Sequence, residues 1–155
     1  MKEDVTFSNY GKAFQETLSQ LIFEDRAFSE QMEEVLDINF FELKYLQEFV
    51  RLVFGYRHKY GVHPSEDIMS SILRTEIDEE SDLIKKQLRD YFARSIATKV
   101  KDVDYIKETA LDFCKKQKLK EAMIKSVALL QRSSFGEIKT IIDEALKLGT
   151  DNKFG

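Results

Sequence analysis

The segment from Phe54 to Asp67 contains both histidines of the 155-residue chain and its single proline. Two imidazoles beside carboxylates and a phenol are residue types from which metal sites and acid–base pairs are built. A di-iron helical bundle, however, needs Glu-x-x-His, and Gly55 and Tyr60 stand three residues before His58 and His63. The His-Glu-x-x-His pattern of zinc hydrolases is absent as well. We therefore predict that the histidines belong to a structural corner between two helices.

Three other groups could do chemistry, and each has a plainer interpretation. Cys114 is the only cysteine, so the chain can form neither an intrachain disulfide nor a cysteine-rich zinc site, and we expect a buried, inert thiol. The acidic run from Glu76 to Asp82 lacks the spacing and glycine of a calcium-binding loop. The basic run from Lys115 to Lys120 has no interleaved aromatic residues, which favours a solvated helix face over a nucleic-acid contact.

A nucleotide site is also missing from the sequence. The only Gly-Lys pair, at Gly11 and Lys12, has Thr6 where a P-loop needs its first glycine and Ala13 where it needs Ser or Thr. We therefore predict no catalytic, cofactor-binding or metal-binding residue in this chain.

Composition limits the class of protein further. The net charge is −4, which argues against nucleic acid as the main partner, and DNA binding by this chain is expected to be weak or absent. No apolar run approaches the roughly 20 residues of a membrane span, and the N-terminus lacks the apolar core of a signal peptide. These features predict a soluble cytoplasmic protein.

Apolar residues recur at steps of three and four along almost the whole chain, which predicts an all-α fold. We expect five helices in the first part, over residues 9–23, 24–36, 42–60, from 64 onward, and 81–96. Gly61 should end the third helix in a left-handed conformation, and Pro64 should occupy the first turn of the fourth.

The last third of the chain predicts two further helices. One should run for about 28 residues from Asp104, and the second should cover residues 135–148. Ser134 with Glu137 forms a capping-box pattern, and Gly149 is a helix-ending signal. The connection is so short that the two helices must form an antiparallel hairpin.

Charge divides the chain at the same place. Residues 1–102 hold 14 basic and 20 acidic side chains, a net −6, whereas the remainder carries +2. We therefore expect an acidic helical head over residues 1–102, a long hairpin over 103–149, and the start of a linker at 150–155.

The hairpin has more apolar surface than two helices can cover between themselves. On its first helix the row of Met123, Val127 and Leu130 is expected to face a row on its second, formed by Phe135, Ile138, Ile142 and Ala145. The side chains near the loop lie too far from the head to be shielded by it. We predict that these side chains form a subunit interface: Met123, Val127, Leu130, Phe135, Ile138 and Ile142.

The order of motifs resembles the N-terminal collar domain of hexameric replicative DNA helicases of the DnaB type, most closely those of T4-like phages. The likeness covers about Leu18 to Gly149 and includes the double aromatic Phe40-Phe41, the corner from Tyr60 to Pro64, and Tyr105-Ile106 at the start of the hairpin. It rests on patterned apolar positions, not on catalytic residues.

The resemblance implies a non-catalytic domain for oligomerisation and for docking of primase or helicase loader, in a bacterial cell or a phage-infected host. Hairpins of neighbouring subunits would pair, and ATP, Mg²⁺ and DNA would be bound by a motor domain beyond this sequence. Two alternatives stay open: a free-standing helical adaptor or regulator of a replication complex, and an enzyme with an unrecognised site.

Overall fold

The computed structural model describes residues 5–132 and 134–148, and this part of the chain is all-helical, without strands. The all-α prediction is therefore confirmed. Two short 3₁₀ segments, Phe7–Tyr10 and Ile38–Phe40, accompany seven α-helices: α1 (Gly11–Glu24), α2 (Arg26–Val35), α3 (Lys44–Tyr60), α4 (Glu66–Thr75), α5 (Asp82–Ala97), α6 (Val103–Leu130) and α7 (Phe135–Lys147).

Phenylalanine dominates the core of the head, which is built from α1–α5 and the base of α6. Phe7 lies at the centre of one aromatic cluster, where its ring centroid is 4.9–6.0 Å from those of Phe14, Phe40, Phe41 and Phe113. Phe113 belongs to α6, so this cluster anchors the long helix to the head. Large aromatic rings bury more apolar surface per residue than other side chains do, which helps to close a small core.

Side-chain caps set the start of several helices. Ser65 Oγ accepts a hydrogen bond from the Ile68 N–H at 3.2 Å, and Ser81 Oγ accepts one from the Ile84 N–H at the same distance. These caps satisfy backbone donors that have no partner within the helix. Because Ser65 caps α4, Pro64 precedes the helix, and the prediction that it occupies the first turn was wrong. Gly61 ends α3 with φ 72°, as predicted.

Other predicted boundaries shift for local reasons. The first helix begins at Gly11, because Gly11 has φ 87° and separates α1 from the preceding 3₁₀ segment. Ser134 stands at the start of α7 but its side chain makes no capping hydrogen bond, so the predicted capping box is not formed. The predicted helix-ending role of Gly149 and the linker at 150–155 lie outside the described residues.

The long helix α6 joins the two parts of the molecule. Its first half contributes Ile106, Ala110 and Cys114 to the head core. Leu130 lies sixteen residues beyond Cys114, so the helix projects about 24 Å further at 1.5 Å per residue. Helix α7 packs back along this projecting half. None of the described helices is both long and apolar enough to cross a membrane.

Candidate functional site

The projecting hairpin is the part of the molecule that the head does not cover. Helix α7 has no buried residue, although half of its residues are apolar. On the outer half of α6 only Ala122 and Leu129 are buried. These two side chains lie seven residues apart, two helical turns, so they form the line along which α7 packs. The predicted row of Met123, Val127 and Leu130 therefore does not face α7, and that part of the prediction was wrong.

A second apolar row on α6 is open to solvent. Met123, Val127 and Leu130 are all more than half exposed, with 60% for Val127. Their spacing of four and three residues puts them within one narrow stripe of the helix. This stripe is rotated by about 120° from the line of Ala122 and Leu129, at 3.6 residues per turn.

Helix α7 has a corresponding exposed row. Phe135 is 65% exposed and Leu146 is 59% exposed, and Ile142 between them is half-buried. This row is rotated by roughly 80° from the half-buried side of α7 that faces α6, at 3.6 residues per turn. Ile138 lies near the middle of that facing side, so it is less available to a partner than predicted. Leu146 was not among the predicted interface residues.

The two exposed rows lie on the same side of the hairpin. The helices run in opposite directions, so their residues advance in opposite rotational senses when both are viewed from the loop. Both exposed rows are rotated from the contact between α6 and α7 in the direction in which residue number increases, so they reach the same side of the hairpin. We call this surface the apolar face, and it consists of Met123, Val127, Leu130, Phe135, Ile142 and Leu146.

The opposite side of the hairpin is charged. The same rotational argument puts Glu121 and Lys125 of α6 beside Glu137 and Glu144 of α7, and all four are exposed. The hairpin is thus amphipathic as a unit. One side is charged and well solvated, and the other exposes apolar side chains to water, which is unfavourable. A contiguous exposed apolar surface of this kind is typical of a protein interface.

The histidine corner is a separate feature of the head, a polar cluster with Arg57 at its centre. This arginine is only 8% exposed. Its Nη1 donates to Ser29 Oγ at 2.7 Å and to His63 Nδ1 at 3.2 Å, and its Nη2 donates to a carboxylate oxygen of Glu33. His58 binds the other oxygen of the same carboxylate from the exposed side.

The contacts of His63 determine which of its ring nitrogens donates a hydrogen bond. Its Nε2 lies 2.6 Å from the Phe23 carbonyl oxygen, which can only accept, so Nε2 carries the proton. Nδ1 is then free to accept from Arg57. Burial and the neighbouring guanidinium of Arg57 hold the pKa of His63 below its ordinary value, despite the Phe23 hydrogen bond. The neutral histidine joins the end of α1 to Arg57 of α3, and Arg57 in turn binds α2, which is a structural role.

The other residues that could do chemistry also have structural explanations. Cys114 is buried, and burial raises the pKa of its thiol to about 12, so it is a poor nucleophile. In the basic run, Lys116 pairs with Asp112 at 2.9 Å and Lys118 lies 3.9 Å from Glu121. Within residues 5–132 and 134–148 no cluster of three or more His, Cys, Asp or Glu side chains could hold a metal ion.

Sequence reasoning missed the buried contacts of Arg57. The partners of Arg57 lie 24 and 28 positions away at Glu33 and Ser29, and no local pattern reveals such a contact. The only signal was an arginine on the apolar line of α3. In comparisons with known proteins, no family model matches the chain, and no characterised protein or solved structure shows significant similarity to it.

Proposed function

We propose that this chain is a non-catalytic self-association module whose hairpin pairs with the hairpin of a second copy. One observation carries the proposal: the apolar face extends across both α6 and α7 and has no cover from the described part of the chain. Apolar side chains make up this face, and the exposed Lys139 at its edge is already paired with Asp143 at 2.8 Å, so the face offers little charge that would select an oppositely charged partner. A surface of this kind can contact an identical surface around a two-fold axis.

The expected strength of pairing follows from the exposed side chains. Full burial of such a side chain is worth about 2 kcal/mol, so a half-exposed one retains about 1 kcal/mol. With five such side chains per subunit and ten per pair, the gross gain is about 10 kcal/mol, comparable with the roughly 4–15 kcal/mol that association costs. An isolated pair is therefore expected to be weak and to require high protein concentration.

We further propose, on the sequence resemblance, that the module belongs to the collar of a DnaB-type replicative helicase. In that setting several weak hairpin contacts would act together within a ring, which strengthens each of them. The head would then be available for primase or loader, and DNA and ATP would be handled by a motor domain elsewhere in the protein. Under this proposal the chain itself has no enzymatic activity.

Two measurements test the proposal, one for hairpin pairing and one for the helicase assignment. Light scattering coupled to size exclusion, over a concentration series into the high micromolar range, should show mass rising above that of a monomer. A mass that stays monomeric would refute hairpin pairing. Reading the gene downstream of codon 155 tests the helicase assignment, since a Walker A motif is expected there. A stop codon at that position would favour a free-standing adaptor of a replication complex.

A further inference from the structure

A groove between α3 and α4 on the head is a second open surface, separate from the hairpin. Helix α4 packs mainly against α5 and only marginally against α3, which leaves a gap between the two. Two depressions of about 390 Å³ and about 290 Å³ lie in this gap, and Leu52 and Glu76 line both of them. They therefore form one continuous groove. From Glu48 to Tyr60 it follows α3 for roughly 18 Å.

The floor of the groove is apolar and includes a glycine within α3. Leu52, Ile68 and Ile72 line it, and Gly55 lies between the walls. A glycine inside a helix is destabilising by about 1 kcal/mol relative to alanine. A Cβ added at Gly55 would meet nothing within 4 Å, so packing within the chain does not require glycine there. A glycine in such a place permits close approach of another backbone.

The two ends of the groove carry opposite charge. At one end Lys59 lies over the ring of Tyr60, with its Nζ 5.3 Å from the ring centroid, and the Tyr56 ring lies 4.7 Å from that of Tyr60. No carboxylate among the described residues pairs with Lys59. This end is therefore basic and aromatic, and the Tyr60 side chain is more than half exposed.

The other end is formed by three acidic residues. Asp78, Glu79 and Glu80 line it, and none of them forms an ion pair with another described residue. Their charges are therefore available to a ligand. Opposite charges at the two ends of one groove distinguish these ends from each other.

We propose that the α3–α4 groove is the docking site for an amphipathic helix of about three turns from another protein. Twelve helical residues match the 18 Å length, and apolar side chains at three- and four-residue steps would lie on Leu52, Ile68 and Ile72. The bound helix places basic residues over the segment 78–80 and acidic residues near Lys59. This inference does not depend on hairpin pairing, because no residue of α6 or α7 lines the groove.

Two synthetic peptides with identical apolar positions provide the test, using the full chain and fluorescence anisotropy. The first has acidic residues at one end and basic residues at the other, and the second is acidic at both ends. The chain should bind the first peptide at least tenfold more tightly. The double variant Glu79→Lys with Glu80→Lys, which changes the charge of this end from −3 to +1, should reverse this preference. Equal binding of both peptides, or binding of neither, would overturn the proposal.

A filled groove gives an independent readout. Gly55→Leu should weaken binding of the mixed-charge peptide at least tenfold, because its side chain occupies the floor. Gly136→Leu is the matched control: Gly136 is also helical with open space around its Cβ, but it lies in α7. That variant should bind like the unmodified chain. Circular dichroism confirms that both variants fold.

Two further outcomes would decide against the proposed occupant. If Gly55→Leu keeps the affinity of the unmodified chain, the peptide binds elsewhere and the proposal is wrong. If Gly55→Leu lowers the oligomeric mass, a second copy of this chain occupies the groove and not another protein. Val127→Asp should leave peptide binding unchanged, so failure of hairpin pairing and failure of groove docking are distinguishable.

Discussion

Replacement of Val127 by aspartate is the sharpest test of the apolar face. Val127 lies between Met123 and Leu130 and is 60% exposed in the isolated chain. In a two-fold pair each subunit would lose about 1 kcal/mol of apolar burial, and each would bury a carboxylate without a partner at a cost of at least about 1 kcal/mol. Two copies give about 4 kcal/mol, which weakens association by roughly a thousandfold.

The assay is sedimentation velocity over a concentration series, with circular dichroism to monitor folding. Ala128→Asp is the matched control, because Ala128 is the next residue, is exposed, and gives the same change in charge. Its position, about 100° further around α6, points away from the apolar face. Ala128→Asp should associate like the unmodified chain, and Val127→Asp should remain monomeric with unchanged helix content. The reasoning is refuted if both variants associate equally.

Four further outcomes are expected. Arg57→Met should lower the free energy of unfolding by about 3 kcal/mol, measured by urea denaturation, because it leaves the Glu33 carboxylate without its buried partner; Glu33→Gln should cost less. Gly55→Ala should raise stability by about 0.5–1 kcal/mol, seen as a higher urea midpoint, since alanine favours the helix and meets no neighbour. Cys114 should react with a thiol reagent only as fast as the protein unfolds, and rapid labelling of the folded chain would contradict its burial. Stability should fall as the pH drops below about 6.5, and His63→Gln should flatten that part of the profile.

The sign of the pH effect follows from His63. Burial and the Arg57 guanidinium lower its pKa in the folded state, so the unfolded chain binds the proton more readily. The stabilisation is complete above the ordinary histidine pKa of about 6.5 and is lost as the pH falls from there through the lower folded value. A urea midpoint that stays constant between neutral and mildly acidic pH would show that His63 is not held neutral.

A second loss of stability is expected at lower pH, from Glu16. Burial raises the pKa of this carboxyl, but the hydrogen bonds from Arg94 and Tyr45 outweigh burial and hold its pKa below the usual value. Arg94 donates to both carboxylate oxygens, at 2.9 and 3.1 Å. This contribution is present above the ordinary glutamate pKa and disappears as the pH falls through the lower folded value.

Local sequence alone determined the helical class and most of the helix positions. Steps of three and four between apolar residues predicted all seven helices, and Gly61 predicted the end of α3 because glycine adopts a positive φ without steric cost. The same patterns predicted that the hairpin carries excess apolar surface. Such signals span only one or two helical turns, so they can be recognised from the sequence before the tertiary structure is known.

Only the tertiary structure decided which neighbour covers each apolar row. Sequence spacing defines two stripes on α6 but does not say which of them α7 packs against. In the structure α7 covers the stripe of Ala122 and Leu129, and Met123 and Val127 stay exposed. The Arg57 cluster and the α3–α4 groove were equally hidden. Both depend on residues far apart in sequence that meet only after the helices have packed, and packing is a property of the whole core.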